Sequence, residues 1–388
     1  MGASYLQVPL IKKANEMGLE THVFAWEEGA IGKDIADYFY PISILDKVAI
    51  LERFKKIDIH GITTIATDIA MPTVNFIANE LHLVGNSLKA TLISTDKYEM
   101  RKALSSKNIP CPRFSFYEVN SFKNNEVFEF PLIVKPTDRS GSRGVTKVND
   151  IIGANIAIRK ALDNSINKRV IVEEFIDGMR EFSVECISYK GDIYPLAVTD
   201  KVTTGAPYFC ELEHHQPAQI TDELKTRIFQ LTINSLKALG LENGASHTEI
   251  ILDKNDNLHV VEVAGRMGGD FIGSHLVELS TGFDFLRATI DVALGNFDFD
   301  KYFNRLNNRF SGVCFLSGQQ GKIVEIVDNS EEFLEVVYCE SLSKIGDIVE
   351  GIVDGSDKRL GVIIYSSNTP KPIINPSKVL NIVINRYD

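Results

Sequence analysis

Residues 247–266 have the sequence HTEIILDKNDNLHVVEVAGR, in which two apolar, β-branched segments flank a polar one. This composition predicts two antiparallel strands joined by a turn at residues 253–257. If residues 254–257 form a four-residue loop, Glu249 and Glu262 lie directly opposite each other, with Cβ atoms roughly 4.5–5.5 Å apart. Carboxylates at that separation repel each other unless a cation lies between them. The pair therefore predicts a site for a hard, oxygen-binding ion such as Mg²⁺.

Arg266 closes this stretch and adds a fixed positive charge close to the predicted ion site. A metal ion together with a guanidinium group suits the binding of phosphate or acyl-phosphate oxygens. An amphipathic hairpin with two solvent-exposed glutamates is the alternative for this segment alone. The motifs in the rest of the chain favour the ion site.

The composition indicates a soluble globular protein of two or three domains. The chain has 388 residues, of which 44% are hydrophobic and 24% charged, and it is too long for one ordinary core. Its net charge of −11 argues against a nucleic-acid-binding surface. We expect no membrane association, because no apolar run approaches the roughly 20 residues of a membrane span. Five cysteines without CxxC spacing predict neither a zinc site nor disulfides, and a cytoplasmic location is expected.

Residues 1–93 alternate helical and strand-like segments, which predicts a small parallel α/β domain. Residues 2–4, Gly-Ala-Ser, resemble the glycine turn that follows a first strand in such folds, yet no strand precedes them. Either the start codon is drawn too late, or this domain begins one strand short. The expected elements are a helix from Tyr5 to Met17, strands at Thr21–Trp26 and Ile62–Thr67, and a helix at Pro72–Glu80.

The pattern of residues 94–300 predicts a second domain of mixed strands and helices. The rest of the chain is rich in strand-like segments, which predicts a third, small β domain without a chemical motif. The expected elements are a helix from Ser94 to Lys107, a strand at 130–136, a glycine loop at 138–144, a strand at 145–148, a helix at 151–163, strands at 169–176, 181–187 and 193–198, and a helix from Asp222 to Leu239.

The glycine loop at 138–144 matches neither a Walker A loop nor a Rossmann fingerprint. Its small residues expose backbone N–H groups that could fold over phosphates as a lid, whereas an ordinary surface hairpin is the alternative. Lys135, at the end of the preceding strand, and Lys97, near a helix N-terminus, favour the phosphate-binding interpretation. An extended segment at 173–176 could offer its backbone to a purine edge, or could simply be a strand end.

In this order and spacing the motifs resemble the ATP-grasp superfamily, in its carboxylate–amine (L-amino-acid) ligase-like branch. The resemblance covers roughly residues 1–300, and the third domain is similar to the small carboxy-terminal domain of the carboxylase and amino-acid-ligase branches. It implies a multidomain α/β and α+β protein with the ATP-grasp fold. The implied parts are a parallel α/β domain at 1–93, an ATP-grasp domain at 94–300 with a lid subdomain at about 113–177, and a β-rich domain at 301–388.

The resemblance also implies roles for individual residues. Arg266 and Lys135 would be catalytic, and Glu249 and Glu262 would bind two Mg²⁺ ions. Members commonly have Asn two residues after the second glutamate, where this chain has Ala264, so a metal ligand is missing. ATP would contact Lys97, Lys135, Ser140, Gly141, Ser142, Gly144, Glu173, Glu174, Phe175, Ile176, Glu181 and Val261.

Substrate contacts are expected in two segments. Residues 201–215 are too long and too interrupted for a plain strand, so we interpret them as a substrate-side loop that includes Lys201 and His215. A structural role for the histidine is the alternative. Gly268 and Gly269, at the start of a predicted helix, would offer N–H groups to a substrate carboxylate, next to Asp270.

The implied activity is ATP-dependent ligation of a carboxylate to an amine through an acyl phosphate, with an amino acid as a substrate and ADP and phosphate as products. One alternative is a carboxylase or purine-pathway ligase that uses bicarbonate or a ribosylamine. Another is a nucleotide-binding module without turnover. The expected partners are small molecules only, and a homodimer is the default assembly.

Overall fold

A computed structural model describes residues 1–117, 129–303, 308–373 and 375–386 of the chain. No helix within these ranges is long and apolar enough to span a membrane. The N-terminal region consists of α1 (Val8–Glu16), β1 (His22–Phe24), β2 (Tyr38–Tyr40), α2 (Lys47–Phe54), α3 (Met71–Glu80) and α4 (Leu88–Thr95).

The sheet of the N-terminal region pairs β1 with β2 in parallel. The strand expected at Ile62–Thr67 is wrong, because this segment makes only an isolated bridge between Ile65 and Met267. Its apolar residues suit a strand, but no neighbouring strand lies within hydrogen-bonding distance along most of its length. A cavity of about 680 Å³ lies between β1, α1 and residues 59–63.

The middle of the chain begins with α5, which starts three residues later than expected because Ser94 and Thr95 belong to α4. Asp96 caps α5 and accepts hydrogen bonds from the N–H groups of Tyr98 and Glu99. Lys97 is therefore its first residue. The elements that follow are listed from α5 onward: α5 (Lys97–Ser106), β3 (Phe114–Tyr117), β4 (Leu132–Pro136), β5 (Thr146–Val148), α6 (Ile151–Asn164), β6 (Val170–Glu174), β7 (Gly178–Tyr189), β8 (Asp192–Thr203), β9 (Glu211–Gln216), α7 (Asp222–Leu239), β10 (Gly244–Asp253), β11 (Leu258–Ala264), α8 (Val277–Thr281), α9 (Phe285–Ala293) and α10 (Asp300–Phe303).

The predicted lid contains a small antiparallel sheet in the order β3-β6-β4-β5. Helix α6 covers it with a buried face of small and branched residues, among them Ala154, Ala157 and Ile158. Residues 118–128 of the predicted lid lie outside the described part of the chain. The glycine loop joins β4 to β5, so it projects from the end of this sheet.

The tail of the chain is joined to the larger sheet. Its elements are β12 (Phe310–Leu316), β13 (Gly321–Asp328), β14 (Val336–Ser341), β15 (Ile348–Val349), β16 (Gly361–Ser367), α11 (Pro376–Val379) and β17 (Leu380–Asn385). The larger sheet runs in the order β11-β10-β7-β8-β9-β12-β16-β14. Since β12 pairs antiparallel with β9, three strands of the tail extend this sheet.

Candidate active site

A cavity of about 260 Å³ opens beside the lid and the larger sheet, and most of the predicted site residues line it. The exceptions among them are Gly144, His215 and Gly268. The predicted site residues that line it are Lys97, Lys135, Ser140, Gly141, Ser142, Glu173, Glu174, Phe175, Ile176, Glu181, Lys201, Glu249, Val261, Glu262, Arg266, Gly269 and Asp270.

Glu249 and Glu262 face each other as predicted, but the turn that joins their two strands differs from the predicted one. Strands β10 and β11 pair Glu249 with Glu262, whereas nearer the turn Leu252 pairs with Leu258. The loop is therefore one residue longer than the predicted four, and a β-bulge before Glu262 restores the register. The extra residue of this bulge is Val261, which lines the cavity.

Lysine ammonium groups hold both glutamates. Lys97 Nζ lies 2.9 Å from Glu262 Oε1, and Lys201 Nζ lies 2.7 Å from Glu249 Oε1. Lys201 is also shared with Glu181 at 3.1 Å and Glu211 at 2.7 Å. One ammonium thus serves three carboxylates, which leaves an excess of negative charge.

This charge distribution fits a divalent cation. Burial, reinforced by Glu249 and Glu211, raises the pKa of Glu181, although Lys201 acts in the opposite direction. A shared negative excess of this kind, on oxygen ligands that face one cavity, suits Mg²⁺. The expected place of Lys201 in a substrate loop is wrong, because this residue belongs to β8 and its side chain is buried among carboxylates.

Lys135 is set in a buried ion cluster. Its Nζ lies 2.7 Å from Glu173 Oε2, and the other oxygen of Glu173 lies 2.8 Å from Arg101 Nε. Although burial favours the neutral acid, the two cations hold the pKa of Glu173 below its usual range. Glu173, expected to contact ATP, thus has its carboxylate occupied by Lys135 and Arg101. In the sequence, Arg101 is distinguished only by its position in a predicted helix, so its pairing with Glu173 was not predicted.

Arg266 is oriented by a residue of the N-terminal region. Its Nη2 and Nε bind the two carboxylate oxygens of Asp68, at 2.7 and 3.0 Å. The bridge between Ile65 and Met267 brings Asp68 to this position. A bidentate pair of this kind fixes the plane of the guanidinium group. In the sequence, Asp68 is only a single acidic residue near a helix start, so its pairing with Arg266 was not predicted.

A second carboxylate, Glu185, organises the loop after β11. It is fully buried, and its Oε2 accepts the N–H of Gly268 at 2.9 Å. The Gly268 N–H is therefore not directed to a substrate, and the helical turn expected there begins only at Ile272. A Cβ at position 268 would lie 2.5 Å from Glu185 Oε1, so the close approach requires glycine.

His247 lies between two carboxylates. Its Nδ1 makes a short hydrogen bond to Glu185, and its Nε2 lies 3.4 Å from Glu249 Oε1. Burial alone would lower the pKa of His247, but Glu185 and Glu249 raise it to about 9. In the sequence this histidine is one residue of the predicted hairpin, and no local pattern indicates a role for it.

An arginine from the tail pairs with two residues that line one end of the cavity, contrary to the expectation that the tail carries no chemistry. Arg359 Nη2 lies 2.7 Å from Asp270 and 3.6 Å from Glu211. Although burial raises the pKa of Asp270, Arg359 and His214 hold it far below its usual range. Asp270, Glu211 and His214 have the spacing of a metal site, and the guanidinium group of Arg359 supplies positive charge there.

The expectation that His215 contacts substrate is wrong. Its Nδ1 lies 2.8 Å from the hydroxyl of Tyr365 and its Nε2 lies 2.7 Å from Glu213. A β-bulge between Glu211 and Glu213 shifts the alternation along β9, so that His214, and not His215, lies with Glu211 beside Asp270. These contacts support the alternative of a structural role for His215.

The lid loop has the backbone that its glycines predict. Gly141, Ser142 and Gly144 adopt positive φ values of 66, 57 and 75°, and the Ser142 hydroxyl donates to Phe209 O at 3.3 Å. At the purine-binding segment, the N–H of Glu174 donates to Arg113 O at 3.0 Å. This N–H is one of the backbone groups expected to hold adenine, and it is already hydrogen-bonded within the protein.

Known proteins match this chain in sequence and in fold. The family model described as an ATP-grasp domain matches residues 128–274. Over 272 residues the chain is 29% identical to the alanine–anticapsin ligase of Bacillus amyloliquefaciens, which covers 61% of this chain and 57% of that protein. The chain thus spans little more than half the length of this curated relative.

Two solved structures show the same fold. An L-amino acid ligase from Bacillus licheniformis superposes with a TM-score of 0.84 at 22% identity, over 99% of this chain and 98% of that chain. The biotin carboxylase domain of a Hydrogenobacter thermophilus 2-oxoglutarate carboxylase, in complex with MgADP and bicarbonate, gives 0.72 at 16% identity, over 94% and 84%. Residues 128–274 of the chain are therefore similar to an ATP-grasp domain, and the chain has the fold of these two structures.

Proposed function

We propose that the chain is an ATP-dependent carboxylate–amine ligase that acts on an amino acid. The observation that carries the proposal is the pair Glu249 and Glu262, facing each other in a cavity that Lys97, Lys135 and Arg266 also line. This set of charges suits the phosphates of ATP next to an acceptor carboxylate.

The proposed reaction has two steps. The substrate carboxylate attacks the γ-phosphorus of ATP, which forms an acyl phosphate and releases ADP. The amine then attacks the acyl carbon, phosphate leaves, and the nitrogen loses a proton. Phosphorylation is needed because the phosphate is a far better leaving group than an oxide ion.

The residues of the chain act mainly by position and charge. Lys97 and Lys135 would bind the phosphates, and Arg266, fixed by Asp68, would face the transferred phosphoryl group. Mg²⁺, held by Glu249 and Glu262, would neutralise charge on the phosphate oxygens. The loop at 138–144 would close over the site and exclude water, which otherwise hydrolyses an acyl phosphate.

The charges at the other end of the cavity support an amino-acid substrate. Glu211 and Asp270 line this end, and Arg359 lies beside them. Two carboxylates and one guanidinium group offer opposite charges to a molecule that carries both an ammonium and a carboxylate group. Bicarbonate has no ammonium group, so under the carboxylase alternative Glu211 would only pair with Lys201 and Arg359 and would not bind substrate.

The proposal extends to cofactor number, assembly and location. Two Mg²⁺ ions agree with two facing carboxylates and the negative excess around Lys201. We further propose that the chain works in the cytoplasm with small molecules as its partners, and that a homodimer is its assembly.

The test is phosphate release from ATP and Mg²⁺ with pooled amino acids. Release above the rate without amino acids is expected, and Glu262→Gln should abolish it because a charged metal ligand is lost while the shape is kept. Glu325→Gln, an exposed glutamate of β13, is the matched control and should keep full activity. Release with bicarbonate alone would support the carboxylase alternative, and equal rates with every pool would support a nucleotide-binding module.

A further inference from the structure

Ala264 leaves a gap in the predicted metal site. It lies two residues after Glu262 on β11, so both side chains point to the same face of the sheet. It is buried, lines the cavity, and offers no polar atom. The site at this position is therefore completed either by water or by another residue of the chain.

The residue directly opposite this gap is His247. In the register of β10 and β11, His247 pairs with Ala264, next to the pair of Glu249 and Glu262 on the same face. Directly opposed side chains have Cβ atoms roughly 4.5–5.5 Å apart. A methyl group at 264 therefore leaves room for an imidazole, whereas a longer amide there would compete with it.

A hydrogen bond at Nδ1 fixes the orientation of the His247 imidazole. Its Nδ1 is hydrogen-bonded to Glu185, whose second oxygen holds the N–H of Gly268. Glu185 is fully buried and does not line the cavity, so this support is its evident function. A carboxylate behind an imidazole is the usual support of a metal-binding histidine, because it fixes the ring and the tautomer.

The other nitrogen of the ring is directed at the metal end of the cavity. Nε2 lies 3.4 Å from Glu249 Oε1. Adjacent ligands of an octahedral ion, each about 2.0–2.1 Å from the metal, lie about 3 Å apart. The observed separation is close to that of two ligands of one ion.

We propose that His247, through Nε2, supplies the metal-site contact that Ala264 cannot make. The inference rests on the metal site of the proposed function and adds a nitrogen ligand to its carboxylates. Glu185 is then a positioning residue for His247. An imidazole favours Mn²⁺ and Co²⁺ relative to Mg²⁺, since nitrogen ligands suit those metals better. The metal preference of the protein should therefore differ from that of a site built only from oxygen ligands.

The test is calorimetric titration of Mn²⁺ and of Mg²⁺ into the full chain in the presence of ADP. His247→Asn is expected to weaken Mn²⁺ binding by about tenfold or more and to weaken Mg²⁺ binding less. His259→Asn is the matched control, because His259 lies in the same hairpin and bonds to Asp253 at 3.1 Å without lining the cavity. This control should bind both metals as the unaltered chain does.

Glu185→Gln is the second variant, in case His247→Asn does not fold. It keeps the imidazole but removes the charge behind it, and about a tenfold loss of Mn²⁺ affinity is expected. Unchanged Mn²⁺ affinity in the folded variants would overturn the inference. If the unaltered chain bound neither metal with ADP, the proposed function itself would fail, which is a different result.

Discussion

Lys135, Glu173 and Arg101 show how single charges are kept in place beside the cavity. All three are buried, and one carboxylate neutralises two cations. Lys135 can face a phosphate with a defined position only because Glu173 holds it from the other side. In the proposed ATP site, Lys135 would contact the phosphates, and Glu173 and Arg101 would act through it.

Glu173→Gln is expected to destabilise the protein by about 3–5 kcal/mol, because two buried cations would lose their counter-charge. Urea unfolding followed by circular dichroism measures this loss. Glu174→Gln is the control, since its pair with Arg113 is exposed and should contribute about 0–1 kcal/mol. Equal losses in the two variants would contradict the assignment of Glu173 as the central counter-charge.

Several residues of the candidate site could be predicted from the sequence because they belong to local patterns. Glu249 and Glu262 belong to a hairpin, and Lys135 ends an apolar strand. Asp68 and Arg359 could not be predicted in the same way. Their partners lie far away in the sequence, 198 residues for Asp68 and 148 residues for Arg359 and Glu211, and a lone charged residue does not indicate which distant charge it will meet.

Among the helices and strands, predicted bounds are correct where both ends of the element carry a local sequence signal. Helix α7 has the predicted bounds, because Thr221 caps its start through the N–H of Leu224 and Gly240 ends it with φ of 72°. The bulge in β11 had no such signal. The register of the glutamates is right only because a longer turn and an extra residue compensate each other.

The start of the chain lies at the cavity of about 680 Å³ beside β1. The N–H of Gly2 donates to Phe24 O at 2.9 Å, and the Met1 amine donates to Thr63 O at 3.0 Å. These two bonds join the start of the chain to both sides of the cavity. Burial lowers the pKa of the Met1 amine to about 6.

A variant with five apolar, β-branched residues added before Met1 is expected to be more stable. The added strand would fill the cavity beside Leu10 and Ile11, where each fully buried side chain contributes about 1.5–3 kcal/mol before ordering costs. Differential scanning calorimetry should show a higher Tm. An extension of five serine and glycine residues is the control, and equal Tm values for the two would refute the expected strand.

At the scale of the whole molecule, the cavity is assembled from every region of the described chain. The N-terminal region lines it with Ala66 and the tail with Ser356, while the lid gives its glycine loop and the larger sheet the facing glutamates. Asp68 and Arg359 lie behind the lining and bind Arg266 and Asp270. The division into domains at about 93 and 300 remains a prediction from sequence. The sheet that passes from β9 to β12 joins two of those units through backbone hydrogen bonds.

Arg359 makes this joining testable, because its side chain links the tail to Asp270 and Glu211 at one end of the cavity. Arg359→Ala should destabilise the protein by about 3–5 kcal/mol, since the partly buried Asp270 would lose its closest cation, whereas Glu211 keeps Lys201. It should also raise KM for the amino acid more than KM for ATP, because the phosphate end is untouched. Lys358→Ala, which removes an exposed pair with Glu350, is the neighbouring control and should cost about 0–1 kcal/mol. Urea unfolding and steady-state kinetics measure both effects, and a loss of stability with both KM values unchanged would restrict Arg359 to holding the tail in place.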